Sequence, residues 1–323
     1  MPLEMLDFEE PIAGLLKELD ALERLPPTDA RDREIEALRR RTESVRGELY
    51  ASLTPWQRVM VARHPNRPGL EDFIARLFTG FTEIHGDRRF ADDHAIMTGF
   101  ADYKGQPVLL VGHVKGSDTK EKIFRNFGYA RPEGYRKALR AMRLAEKFSR
   151  SIIVFVDTPA AYPGIESEER GVAEAIAVNI RDMMMLDTPI IVIVSGEGGS
   201  GGALGIAVGD RVLMQEFAIY SVIPPEGCAA LVWRDATKKA EAAAALKLTA
   251  PDLLGFGIID EIVREPIGGA HTDPTAAALS VDVVLTRVLA EVGALDRETR
   301  LAARYDKFRN MGRAGIDFIE AGS

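Results

Sequence analysis

Apolar residues recur at helical spacing in the first fifty positions. Phe8, Ile12, Leu15, Leu16, Leu19 and Leu22 form one run, and Ile35, Leu38, Val45 and Leu49 a second, with charged residues between them. Pro26 and Pro27 separate the runs, because a ring without an N–H cannot continue a helix. The segment reads as an αα-hairpin whose single apolar stripe needs a body or a partner to pack against. From about Asp92 the period changes. Ala95 to Tyr103 and Pro107 to Val111 predict two strands joined at Lys104-Gly105-Gln106. Pro132 to Arg150 predicts a helix. Ile152–Val156 and Ile190–Val194 are unbroken β-branched or aromatic runs, as in strands buried on both faces. A helix from about Glu168 to Leu186 lies between them. Strands are expected near Val212–Gln215 and Ala218–Ile223, and mainly helix after Pro225. The last dozen residues, with Gly312, Gly315 and Gly322, are expected to fray.

Strands alternating with helices predict an α/β fold with a parallel sheet. Ligands in such sheets sit beyond the carboxyl ends of the strands, so the loops after Val111, Val156 and Val194 are the places to look. The division expected is an N-terminal hairpin over 1–55, a main domain over 56–291 and a helical tail over 292–323.

Composition narrows the function. The chain of 323 residues has 41 Lys and Arg against 49 Asp and Glu, a formal net charge of −8. Sequence-independent nucleic-acid binding needs surplus cations, so an anionic ligand must find a local basic cluster. One cysteine, Cys228, makes neither an internal disulfide nor a cysteine zinc site. The acidic N-terminus lacks the apolar core of a signal peptide, and no apolar run approaches a membrane span. A soluble, cytoplasmic protein is expected.

The sharpest local feature is Ser195-Gly-Glu-Gly-Gly-Ser-Gly-Gly-Ala203, with five glycines in seven residues between strand and helix. Three readings compete. Gly196, Gly198 and Gly201 match the dinucleotide fingerprint, with Glu216 about twenty residues on. Gly198, Ser200 and Gly202 match the G-x-S-x-G nucleophile elbow of a serine hydrolase, with Asp260 and His271 following. The third reading is an oxyanion hole in which Gly201 and Gly202 present backbone amides to a carbonyl or ureido oxygen. A P-loop is excluded because no Gly-Lys-Ser/Thr follows. Five glycines exceed what packing alone is expected to need. The loop Asp157-Thr-Pro-Ala-Ala-Tyr-Pro-Gly164 is stiffened by two prolines, and Gly164 is free to take a positive φ. Lys115, Lys120, Lys122 and Arg125 fall within eleven residues and suit a phosphate or carboxylate. No carboxylate pair is spaced for acid–base work, and no His/Asp/Glu set has metal-ligand spacing.

Many blocks in one order resemble the carboxyltransferase alpha subunit of bacterial acetyl-coenzyme A carboxylase. They include Met5-Leu-Asp-Phe-Glu, Ala62-Arg-His-Pro-Asn-Arg-Pro, Gly86-Asp-Arg, Ala91-Asp-Asp, Lys120-Glu-Lys, Arg125-Asn-Phe-Gly and Pro132-Glu-Gly-Tyr-Arg-Lys-Ala. Asp157-Thr-Pro, Ala161-Tyr-Pro-Gly, Gly196-Glu-Gly-Gly-Ser-Gly-Gly-Ala, Pro225-Glu-Gly-Cys and Gly268-Gly-Ala-His continue the match. The family usually has glycine where this chain has Ala160 and serine where it has Pro224.

The resemblance implies a crotonase (ClpP/crotonase-like) fold of repeated ββα units. It implies an α2β2 assembly with a beta subunit that bears a zinc ribbon and binds the coenzyme A thioester, so no metal is expected in this chain. Biotin would arrive on the biotin carboxyl carrier protein after loading by biotin carboxylase, and its carboxyl group would pass to acetyl-coenzyme A to give malonyl-coenzyme A for fatty acid synthesis. ATP and nucleotide binding are expected alongside. By the same resemblance Gly201 and Gly202 are the oxyanion-hole amides, and Gly164, Gly199, Ser200, Lys115, Lys120 and Arg125 are substrate-binding candidates.

Overall fold

The computed structural model describes residues 5–312. An eight-stranded sheet runs β1 (Thr79–Glu83), β2 (Ile96–Tyr103), β3 (Gln106–His113), β4 (Ile152–Thr158), β5 (Ile190–Gly199), β6 (Arg211–Gln215) and β8 (Glu261–Val263) across its width, and β7 (Ile219–Ser221) pairs with β5. The first three strands are antiparallel neighbours, and β3 through β8 are parallel. The β2–β3 hairpin falls where its turn signal put it, with Lys104 at φ 52 and Gly105 at φ 82. Strands β1 and β8 carry little apolar periodicity and were not legible.

Helices cover both faces of the sheet. In chain order they are α1 (Glu10–Glu23), α2 (Asp29–Ala51), α3 (Pro55–Ala62), α4 (Leu70–Leu77), α5 (Thr119–Phe124), α6 (Pro132–Lys147), α7 (Ile165–Glu169) and α8 (Val172–Met183). There follow α9 (Ser200–Leu204), α10 (Pro225–Trp233), α11 (Lys239–Leu246), α12 (Ala250–Gly255), α13 (Pro274–Gly293) and α14 (Arg297–Asn310). Alternate residues of the central strands feed two cores. Val111, Ile152, Val154, Ile190, Val192 and Val194 pack with α6, α8 and α9 on one face. Leu110, Ile153, Phe155, Ile191, Ile193 and Leu213 pack with α4 and α13 on the other. Burial on both faces explains the unbroken apolar runs, and each such side chain contributes about 1.5–3 kcal/mol of transfer free energy.

The expected Glu168–Leu186 helix is interrupted. Gly171 takes φ +75 and caps α8, and α7 is a separate short turn. The N-terminal hairpin docks at one end: Ile12, Tyr50 and Leu53 join Val61 and Phe217 of the body. The Tyr50 hydroxyl donates to buried Glu9 at 2.7 Å. The expected fraying lies mostly at residues outside the described range. Just before it, α14 is fastened by Arg304, whose side chain is fully buried and pairs with Asp210 at 2.8 Å. The same guanidinium donates to the carbonyls of Met183, Leu186 and Thr188 at 2.8–2.9 Å. Removing one partner of such a buried pair leaves an unpaired charge. Arg304→Met is therefore expected to cost about 3–5 kcal/mol in chemical denaturation. A loss under about 1 kcal/mol would place the pair among the weak surface type.

Candidate functional site

The carboxyl ends of β3, β4 and β5 meet, as the parallel order requires. The glycine-rich segment is not a loop there. Strand β5 continues through Gly199, because β7 offers a second partner: Glu197 pairs Ile219, Gly198 pairs Tyr220 and Gly199 pairs Ser221. Four of the five glycines are needed for packing, a correction to the expectation from sequence. A Cβ on Gly196 would lie 2.4 Å from the Asp157 carboxylate, and one on Gly198 2.8 Å from the Tyr220 ring. On Gly199 it would lie 1.8 Å from the Pro159 carbonyl, and on Gly202 2.3 Å from the Ala161 nitrogen. Two backbones touch here without intervening side chains. Gly201 alone has room, its nearest neighbour being Ile176 Cδ1 at 3.8 Å.

The 157–164 loop is held from its other side. Thr158 Oγ1 donates to the Gly128 carbonyl at 2.6 Å, and the Tyr162 amide to the Ala130 carbonyl at 2.9 Å. Gly164, free to take a positive φ, has φ −74 instead; it caps α7 and has the Tyr162 ring against it. Ser200 carries the left-handed φ of +53. Its hydroxyl makes no hydrogen bond to a histidine or any other base among the described residues. The elbow conformation is present without the base that a hydrolase needs. The amides of Ser200 to Gly202 open α9 and have no partner within the helix. Those of Gly201 and Gly202 donate to no acceptor among the described residues.

Beside this strand–helix junction a charged network closes over the sheet. The Asp157 carboxylate accepts the Glu197 amide at 2.8 Å and pairs with Lys115 at 2.6 Å. Buried Glu197 pairs with Arg63 at 2.6 Å, and Arg63 with Glu226 at 2.7 Å. Arg67 donates to the Ser195 carbonyl at 2.7 Å and forms a fully buried bidentate pair with Glu265. These contacts bring α3 and the turn after it, about 130 residues away in sequence, onto the end of β5.

A cleft of about 620 Å³ opens here. Arg63, Lys115, Lys122, Glu197 and Glu226 supply its charges, and Phe127, Tyr129, Pro159 and Pro224 its apolar wall. The basic cluster is thus divided. Lys115 and Lys122 line the cleft. Lys120 is exposed on α5. Arg125 pairs with Glu71 at 2.9 Å and donates to the His94 carbonyl. Ser200, Gly201 and Gly202 lie past Pro159, outside the cleft lining. Arg63, Glu197 and Glu226 escaped the sequence reading because nothing local links them; their signals were the separate Ala62-Arg-His-Pro, Gly196-Glu and Pro225-Glu blocks.

Two buried imidazoles complete the site. His113, at the end of β3, is fully enclosed, and burial holds it down to about 3, with the Asp157 charge and the Gly202 backbone opposing. His271 stacks on His64 at 3.9 Å between ring centroids. Burial, then His64 and two arginines, hold it to about 3. Neither is poised as a general base at neutral pH. Among the described residues no group of His, Cys, Asp and Glu could hold a metal ion. No described helix is long and apolar enough to cross a membrane.

The family described as acetyl co-enzyme A carboxylase carboxyltransferase-like matches residues 5–312. A protein of Geobacter metallireducens named acetyl-coenzyme A carboxylase carboxyl transferase subunit alpha is 54% identical over 309 residues, covering 95% of this chain and 97% of the relative. One of the same name from Phenylobacterium zucineum is 51% identical, covering 98% and 100%. Among solved structures, a Pseudomonas malonate decarboxylase hetero-tetramer in complex with coenzyme A aligns with TM-score 0.55 at 18% identity, over 67% of this chain and 86% of that one. Transcarboxylase 12S aligns with TM-score 0.53 at 19% identity, over 68% and 42%. The fold is the crotonase-like carboxyltransferase fold.

The two histidines set an acid limb. Both are neutral when folded and take up protons when unfolded, so the unfolded state binds more protons below pH 6.5, and stability falls as pH falls from there toward about 3. At pH 5 each is expected to cost about 2 kcal/mol relative to pH 7 and above. Denaturation of His113→Leu at both pH values should show a correspondingly shallower loss. An unchanged acid limb would refute the assignment.

Proposed function

The chain belongs to the acetyl-coenzyme A carboxylase carboxyltransferase-like family, and on that premise we propose that it is the alpha subunit of a two-component carboxyltransferase. With a zinc-ribbon beta subunit, as α2β2, it moves a carboxyl group from biotin on the biotin carboxyl carrier protein to acetyl-coenzyme A, giving malonyl-coenzyme A in the cytoplasm. Nucleotide, as ATP, enters where biotin carboxylase loads the carrier.

The observation that carries this reading is the pair of uncommitted amides at Gly201 and Gly202, fixed by backbone contact and flanked by a cleft with an apolar wall. These residues fit a carboxylated ureido ring: donors for an oxygen that gains charge and apolar surface for a bicycle, with Glu197 and Glu226 of the cleft both paired with Arg63. When bound, that ring supplies the carboxyl group and a nitrogen able to take the proton lost from the acetyl methyl group. The chain's own part is electrostatic. Preorganised N–H groups of α9 stabilise the charge that gathers on the ring oxygen, a contribution of about 3–4 kcal/mol per donor. The Asp157–Lys115 and Glu197–Arg63 pairs hold the end of β5 in register, so that α9 starts at a fixed place. Neutral His113 and the dry core beneath keep water from the strand ends.

Malonyl-coenzyme A formation is expected only when the beta subunit is added. In that complex Gly201→Val, whose branched side chain would fill the open space at this position and keep a ring oxygen off both amides, should assemble normally and lose turnover about as much as removal of a donor does, about a hundred- to a thousandfold. Turnover by the chain alone, or full activity of the valine variant, would overturn the reading.

A further inference from the structure

Three observations around the cleft are not absorbed by the oxyanion site. The first is a free cation. Arg63 and Lys115 are both neutralised by neighbouring carboxylates, whereas the Lys122 ammonium has no carboxylate partner among the described residues although it lines the cleft. The second is how Lys122 is placed. Gly116, at φ +85, lets α5 fold back so closely that a Cβ there would lie 2.6 Å from the backbone nitrogen of Lys122, which fixes where that side chain starts. Asp118 and Glu121 cap that turn, Glu121 accepting from Ser117 at 2.8 Å. The third is strain. Asn126, Phe127 and Gly128 all carry positive φ, at 49, 55 and 79. Left-handed backbone is disfavoured for residues with a Cβ, and two in a row persist only where the surroundings impose them. Asn126 Nδ2 donates to the Tyr129 carbonyl at 2.8 Å, and Gly128 packs under Lys115. The result is a Phe127 ring half exposed on the cleft wall, where it adds little to the core.

We propose that Lys122 and Phe127 form a clamp for a carboxylate borne on an apolar ring, the ammonium pairing with the carboxylate and the phenyl ring packing on the ring's face. Given the carboxyltransferase reading on which this rests, the ligand is the carboxylated ureido ring of biotin. Lys122 then recognises the loaded form of the carrier over the discharged one.

The test is calorimetric binding to the complex assembled with the beta subunit. The probes are biotin and biotin carrying a stable carboxymethyl group on its ureido nitrogen. The intact complex should favour the carboxymethyl form by about tenfold, the size of one charge-assisted contact. Lys122→Met should abolish that preference and Lys122→Arg should keep it. Phe127→Gly should weaken both probes about three- to tenfold while its melting temperature holds or rises, because glycine relieves the left-handed strain. A purely structural aromatic would lower the melting temperature instead. A preference unchanged in Lys122→Met, no measurable binding of the carboxymethyl probe, or a Phe127→Gly variant with wild-type affinity would each overturn the clamp. So would Lys122→Met weakening coenzyme A in place of the biotin probe, since that would assign the cation to a phosphate. The functional reading fails separately, if the intact complex makes no malonyl-coenzyme A.

Discussion

Two backbones in direct contact set the geometry of the candidate site. The last residues of β5 and the first turn of α9 lie against Pro159–Ala161 with no side chain between them, at Gly199 and at Gly202. Neither position admits a Cβ. That contact fixes where the helix begins, and hence where its first amides stand. Around it, each buried charge has a partner that spans a long stretch of sequence: Asp157 with Lys115, Glu197 with Arg63, Arg67 with Glu265. Such pairs add less to stability than their number suggests. Their effect is to lock β3, β4, β5 and α3 into one register.

Chemistry follows from that rigidity. A carboxyl transfer in which the ligand carries its own proton acceptor asks the protein for fixed dipoles and dryness. The site offers those and lacks a poised base, since His113 and His271 are neutral and enclosed. Ser200 illustrates how a motif can mislead. Its left-handed backbone is that of a nucleophile elbow, but the same turn arises from Gly199 and Gly202 pressing on the neighbouring loop, and no base among the described residues reaches its hydroxyl.

Much of this was legible in the sequence. The central strands announced themselves because burial on both faces demands unbroken apolar runs, as in Ile190–Val194. The αα-hairpin and the β2–β3 turn were equally plain. Strands β1 and β8 were not, since Thr79–Glu83 and Glu261–Val263 lie at the sheet's outer edges and have mixed polarity. The glycine segment was located correctly but read as a loop whose glycines exceed what packing needs. Its glycines answer to neighbours at Asp157, Pro159, Ala161 and Tyr220 that only the folded chain supplies. The basic cluster was visible as composition. Which of its members is free depended on Glu71 and on Asp157, both distant in sequence. Family resemblance identified the reaction class, whereas the meeting of Arg63, Glu226 and Phe127 on one cleft emerged only from the structure.

Gly201 and Gly202, adjacent in sequence, differ sharply in what a side chain would meet. With Gly201→Ala and Gly202→Ala each assembled with the beta subunit, turnover and melting temperature should diverge. The first, with open space at its Cβ, should keep its melting temperature and most of its turnover. The second must push Ala160 and Ala161 away, and should lose about a hundredfold in turnover as the amides shift. Wild-type turnover in Gly202→Ala would contradict the claim that backbone contact positions the site.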